Sequence, residues 1–341
     1  MENHFKSRLV SARFFLLVPL LLTQFSAVRP LNASDEKAGT SGGVFMKIPT
    51  GSPRAQALGN CGVSLVEGSE AMTINPAGMA SSQMREVGFA YMSWFQDYSG
   101  QYVAYVHPVG QSVIGVNFAT YGIQDFDARD EQGIPQYGED IRVIHRYATL
   151  TVAKSFLLER LLLGASVKGV WENNYSAKYY NMVLDAGVIL KPFRKLSLGM
   201  SGANHNSKEG QVVRIGRLGG ALSLNPFITL VGEFKEYSDR NKGLGGGLEF
   251  NLTEEMLQVG RVSLRTGYVQ GLLGIGSIDD YGKNYDDKTL DTLGLTRTGG
   301  WTFGFGIYSA QAMGFGVSLD YTMVPYGALG KASQIMIRAQ F

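Results

Sequence analysis

The sequence predicts an all-β protein, a transmembrane antiparallel β-barrel of about fourteen strands with an N-terminal hatch plugging its lumen. Three observations predict it. Apolar residues recur with period two from Glu86 to Phe341, glycine and aromatic residues are abundant, and the connections between alternating segments sort by parity into short and long. Trp301, Phe303, Phe305 and Ile307 alternate with Thr302, Gly304, Gly306 and Tyr308, and Met313, Phe315, Val317, Leu319 and Tyr321 with Gly314, Gly316, Ser318, Asp320 and Thr322. In a strand such spacing gives one greasy face and one small or polar face.

The chain divides into three expected units. Residues 1–33 read as a signal peptide: Lys6, Arg8 and Arg13 are basic, and Phe14 to Leu22 is an apolar run well short of the ~20 residues of a spanning helix. Leu31-Asn32-Ala33 supplies a small-residue ending for cleavage. Residues 34–85 form a compact insert around Gly51 to Ala80. Pro76 fixes its own φ and lacks an N–H, and Asn75 before it is pushed out of helical space, so Asn75-Pro76-Ala77-Gly78 must turn and cannot join a ladder.

Residues 86–341 supply the barrel. The fourteen segments fall near 86–95, 100–107, 111–121, 141–156, 161–172, 180–192, 196–204, 217–224, 228–236, 242–250, 257–269, 300–309, 313–323 and 332–341. Most match the ~9 to 11 residues that a tilted strand needs to cross a bilayer. Short connections fall at Pro108 to Gly110, Leu157 to Arg160, Phe193 to Lys195, Asn225 to Phe227, Asn251 to Met256 and Ala310 to Ala312. Long ones fall at Gly122 to Asp140, Asn173 to Tyr179, His205 to Gly216 and Gln270 to Gly299, as outer-membrane barrels arrange periplasmic turns and outside loops. Roughly eight strands already leave room for side chains inside a barrel, so fourteen need a plug. Residues 34–85 are the candidate.

Composition excludes several other classes. A net charge of +2 and the lack of a lysine or arginine cluster argue against a nucleic-acid partner. His4, His107, His145 and His205 are scattered, no His or Cys pair has metal-ligand spacing, and Cys61 stands alone, so neither enzyme, metal nor cofactor is expected. The run Gly243-Leu244-Gly245-Gly246-Gly247 is a small-faced strand with no helix after it to cradle phosphate, and Asp279, Asp280, Asp286, Asp287 and Asp291 fit no calcium loop.

Pro53-Arg54-Ala55-Gln56-Ala57-Leu58-Gly59-Asn60-Cys61-Gly62-Val63, then Glu67-Gly68-Ser69-Glu70-Ala71, then Asn75-Pro76-Ala77-Gly78-Met79 resembles the N-terminal signature of the FadL-like outer-membrane proteins, in a branch with PorV and PorQ proteins and their spirochaetal relatives. The final strand, ending at Phe341, resembles the signal by which insertion machinery recognises outer-membrane proteins. The resemblance implies an outer-membrane location in a didermal bacterium, contact with membrane lipid, and transport of long-chain fatty acids or similar hydrophobic ligands. It also implies that Asn75, Pro76, Ala77 and Gly78 form a hatch turn facing a distorted strand, beside which ligand leaves through the wall. Gly115 is the expected break. Lys168, Arg261 and Arg265 on the polar face are candidate partners for a carboxylate. Two other readings stand beside transport: a docking partner in protein export, acting through the outside loops, and a general porin, which a retained hatch forbids.

Overall fold

Alternation is carried through into a closed wall. The computed structural model describes residues 42–47, 50–94, 98–123, 132, 134, 142–174, 177–206, 212–238, 242–252, 257, 260–270, 299–312, 315–325 and 331–341. The strands are β1 (Glu86–Ser93), β2 (Ser99–Val109), β3 (Ser112–Ile123), β4 (Val143–Phe156), β5 (Leu161–Asn174), β6 (Ala177–Phe193), β7 (Leu196–His205), β8 (Ile215–Ser223), β9 (Ile228–Tyr237), β10 (Lys242–Leu252), β11 (Arg261–Gln270), β12 (Gly299–Ala312), β13 (Phe315–Pro325) and β14 (Lys331–Gln340). Each pairs with its sequence neighbours, and β14 returns to β1 to close the barrel. Closure pairs every strand edge, the condition for a sheet to survive without water.

The two faces invert the usual soluble pattern. Phe89 lies beside Ile337, and outward along the same row come Leu319 and Ile307; on its other side stand Val103 and Phe118. Phe89 and Ile337 are each 49% exposed. The inward positions instead bury Asn117, Lys168, Asp185, Arg217, Glu233, Glu249, Arg265 and Asp320. Charged groups are seldom fully buried unless paired, and here they are paired.

What fills the lumen is the segment before β1. Two short α-helices, α1 (Pro53–Ala57) and α2 (Gly68–Ile74), are followed by a 3₁₀ turn over Pro76–Ser81; another 3₁₀ turn spans Val44–Lys47. Pro53 at the first position and the Ser52 side chain, which accepts from the Ala55 N–H, start α1 as N-capping rules expect. No side chain of its own caps α2. The wall does so, because the Glu86 carboxylate of β1 accepts from the Ser69 N–H at 2.8 Å and from the Ser69 hydroxyl. The hatch enters from the long-loop end, where Phe45 stacks on His145 at 4.8 Å, and leaves toward the short-turn end at Glu86.

The large share of glycine follows from this interior. A side chain at Gly187 would run into Asn75 Oδ1, and one at Gly164 into the Pro76 carbonyl carbon and Ala77 nitrogen. Gly199, Gly245 and Gly267 meet hatch backbone in the same way. Backbone can approach backbone so closely only where Cβ is missing.

Strand number and order agree with the sequence reading, and most boundaries fall within a few residues. The largest shift is at β11, expected from residue 257 and starting at Arg261. The expected break at Gly115 is not there: β3 keeps continuous register with both neighbours, and Gly115 makes room for the sulfurs of Met72 and Met79. Among the described residues the register shifts at three places: between Leu184 and Ala186 and between Leu190 and Phe193 on β6–β7, and between Ser309 and Ala312 on β12–β13; the first lies away from the connecting turns. The leader, residues 1–33, the acidic positions from Asp279 to Asp291, and most of the long loops lie outside the described residues.

Candidate functional site: the hatch and the wall it faces

The turn at Asn75 is built to be read by the wall. Asn75 is fully buried with an extended backbone, its Oδ1 accepts from the Ala77 N–H at 3.1 Å, and Pro76 opens the 3₁₀ turn that follows. Its amide donates to the carbonyls of Val63 at 2.6 Å and Val188 at 3.2 Å, with Met200 O at 3.5 Å. One side chain thus ties the turn to the hatch's own loop and to β6 and β7. Ala77 packs with Leu162 and Ile189, and Gly78 leaves space for the Val66 carbonyl.

The opposite side of the hatch is held by charge. Arg54 on α1 meets Glu249 of β10 through two hydrogen bonds, of 2.9 and 2.7 Å, and Glu249 also takes Arg265 of β11 at 2.8 Å. Arg265 reaches Asp320 of β13 at 2.5 Å, Asp320 takes Arg338 of β14 at 2.9 Å, and Arg338 meets Glu70 on α2 at 3.0 Å. The Ser52 hydroxyl then donates to Glu70 at 2.7 Å and returns the path to the start of α1. Three arginines alternate with three carboxyl groups along the circuit, and forked guanidiniums suit such bridging. Burial pushes the Glu70 carboxyl above the ordinary carboxylate range, with Asp320 adding to the shift and Arg338 opposing it.

Between hatch and wall, near the β6–β7 irregularity, lies a small cavity of about 20 Å³ lined by Thr73, Tyr121, Tyr147, Lys168, Asn204 and Arg217 among others. That is room for about one water. The β7 bulge beside it carries Asn204 at φ 61°. Asn204 N donates to Asp185 Oδ1 at 2.8 Å, and Lys168 Nζ bridges Asp185 at 2.8 Å and Asn204 Oδ1 at 3.2 Å. A left-handed asparagine and a stapling lysine hold the wall in its irregular form.

Of the residues singled out from sequence, Asn75, Pro76, Ala77 and Gly78 come together with β5, β6 and β7. Lys168 lies at the bulge, engaged with Asp185, and Arg265 is engaged with two carboxylates. Arg261 sits apart at the short-turn mouth, exposed, with its guanidinium 5.6 Å from the centre of the Tyr308 ring. Sequence reasoning missed Glu233, whose carboxylate accepts from the Gly62 and Val63 N–H groups at 2.7 and 2.8 Å, and Glu249. Both were legible only as lumen-facing acids.

Cys61 offers a reporter for the hatch. It is 2% exposed, and burial, with Glu233 adding, pushes its thiol up to about 12, against the pull of Lys235. A thiol held protonated is a poor nucleophile. Maleimide at pH 8 is therefore expected to leave Cys61 unlabelled in the folded protein and to label it once the hatch is displaced; rapid labelling of the native protein would contradict this burial.

No family model matches the chain, and no curated protein matches it. Solved structures do. A Pseudomonas aeruginosa FadL homologue is similar with a TM-score of 0.53 at 11% identity, over 86% of this chain and 98% of that one. The Pseudomonas putida toluene transporter TodX gives 0.51 at 12%, over 88% and 97%, and a TodX monoaromatic hydrocarbon channel lacking S2 gives 0.54 at 12%, over 89% and 98%. The barrel fold is shared with these proteins.

Proposed function

We propose that this barrel spans the outer membrane of a didermal bacterium and admits hydrophobic solutes, long-chain fatty acids foremost, past a gated hatch and out sideways between β6 and β7. The observation that carries the reading is the placement of the Asn75-Pro76 turn against β6 and β7, whose register shifts away from their connecting turn. Support for a membrane setting comes from the apolar outward rows, which belong in hydrocarbon, and from the fold shared with the FadL homologue and TodX. The filled lumen argues against free diffusion of polar solutes. An acyl tail favours apolar surroundings by ~0.8 kcal/mol per CH₂, so a path that ends in lipid suits it better than a watery pore.

In this reading Asn75, Pro76, Ala77 and Gly78 form the gate, Lys168 holds the exit in shape, and the terminal strand with Phe341 addresses the chain to the insertion machinery. Arg265 acts in the latch and Arg261 at the mouth. The test is binding and vesicle uptake of a fluorescent long-chain fatty acid by the refolded barrel, beside a variant with Gly-Gly-Gly at positions 75–77. Saturable binding with altered uptake in the variant is expected. A folded barrel that binds no fatty acid would overturn the reading and favour a docking role in protein export, acting through the outside loops.

A further inference from the structure

Two neighbouring turns at the short-turn end carry more apolar surface and more positive charge than a water-facing turn needs. In the β4–β5 turn Leu157, Leu158 and Glu159 stand at φ 54°, 54° and 65°, the left-handed region that glycine or asparagine enters readily and leucine does not. Both leucines are exposed, Leu158 at 97%, and Phe193 at the β6–β7 turn is 72% exposed. Backbone hydrogen bonds join these turns and the next into one collar: the Lys191 N–H donates to the Arg160 carbonyl at 2.7 Å, and the Ser223 N–H to the Lys195 carbonyl at 2.8 Å. Along Lys154–Arg160 and Lys191–Lys195, the cations Lys154, Arg160, Lys191, Arg194 and Lys195 stand against one acid, Glu159. Among the described residues none of these five meets a carboxylate. A strained backbone that holds bare leucines beside unmatched cations points to something outside the chain that takes both.

We propose that this collar docks anionic phospholipid of the periplasmic leaflet, with Leu157, Leu158 and Phe193 in its interfacial layer and the cations on its phosphate groups. The depth fits. Leu150 and Val152 continue the outward row of β4 into Lys154 and Phe156, and Lys154 Nζ lies 5.4 Å from the centre of the Phe156 ring. A lysine stem with an aromatic ring at a strand end marks the headgroup level of a spanning segment. At about 3.3 Å per residue, a turn that starts one residue later stays within that level. Charge selects the lipid: a zwitterionic headgroup leaves the surplus cations unmatched, and a phosphodiester without an amine matches them. The assignment concerns the outer rim of the wall and stands whether or not fatty acid passes through the lumen.

The test equilibrates the refolded barrel in mixed micelles holding equal amounts of dioleoyl phosphatidylglycerol and dioleoyl phosphatidylcholine, which share their tails, and counts the lipid retained on the captured barrel. Wild type is expected to prefer phosphatidylglycerol about tenfold, and the preference to shrink as salt is raised. Combining Arg160→Gln, Lys191→Gln, Arg194→Gln and Lys195→Gln is expected to abolish it. Leu157→Asn with Leu158→Gly suits the left-handed turn and keeps every cation, so this pair is expected to resist unfolding in detergent better than wild type while retaining several-fold less phosphatidylglycerol. Equal retention of both lipids by wild type overturns the assignment and leaves the collar to an acidic protein partner. A preference that persists in the folded four-site variant overturns it too, as does a leucine-free turn that retains phosphatidylglycerol as well as wild type.

Discussion

Glu249→Gln is expected to lower the stability of the folded barrel by about 3 to 5 kcal/mol, the range for removing one partner of a buried ion pair. Glu249 is the junction of the latch, taking Arg54 from the hatch and Arg265 from the wall on its two oxygens. Its loss leaves Arg265 beside Asp320 alone and strands Arg54, which is only 24% exposed at its side chain. Guanidinium chloride unfolding in detergent gives the free energy, and Cys61 labelling shows whether the hatch has let go. Glu70→Gln is expected to be much milder. Burial already favours the neutral form of Glu70, and Arg338 keeps Asp320 when Glu70 is changed. The sign follows from that raised value: the titration of Glu70 favours the folded state at low pH and ceases to do so as pH rises through it. Equal losses in the two variants would show that the six charges do not act as a latch.

Gly187→Val is expected to unseat the gate while sparing the wall. Valine suits a strand, so β6 itself gains nothing to object to. Its Cβ, however, falls on Asn75 Oδ1, with the Pro76 ring at 3.1 Å, and an overpacked core site costs about 1 to 3 kcal/mol. The turn must move off β6 and surrender the Val188 and Met200 carbonyls. Ion conductance across planar bilayers should rise well above that of wild type, with Cys61 becoming reactive. A folded variant that stays silent in both assays would show that the turn is not what closes the lumen. Gly164→Val, aimed at Pro76 and Ala77 from β5, should behave alike.

Period-two alternation made the wall legible, because a barrel strand exposes its side-chain period directly in the sequence and closure adds no new requirement to it. Phe303 and Phe305 had to face away from Thr302 and Gly304 whatever their partners were. The site was legible only in part. Proline made the turn at Asn75 readable, yet nothing local marks which strands receive it. The latch joins Arg54 to Arg338 through residues scattered over most of the chain, and each of its acids reads alone as an ordinary lumen-facing charge. An isolated glycine such as Gly115 reads as a break in a strand, whereas the bulge forms at Ala203-Asn204, where asparagine tolerates the left-handed backbone. Glycine here chiefly signals the hatch's backbone close by.

Glu86 sits on the seam where the first and last strands meet. One of its oxygens holds Ser69 of the hatch and the other takes Gln340 of β14 at 2.8 Å, while the next residue of α2, Glu70, reaches Arg338 of the same strand. The plug is thus also a splint across the joint. A sheet of fourteen strands could close edge to edge through backbone ladders alone, in any register that its alternation permits. α2 grips both sides of the joint in the alignment that places Glu86 opposite Gln340, so the inner segment reinforces the register in which its own container closes.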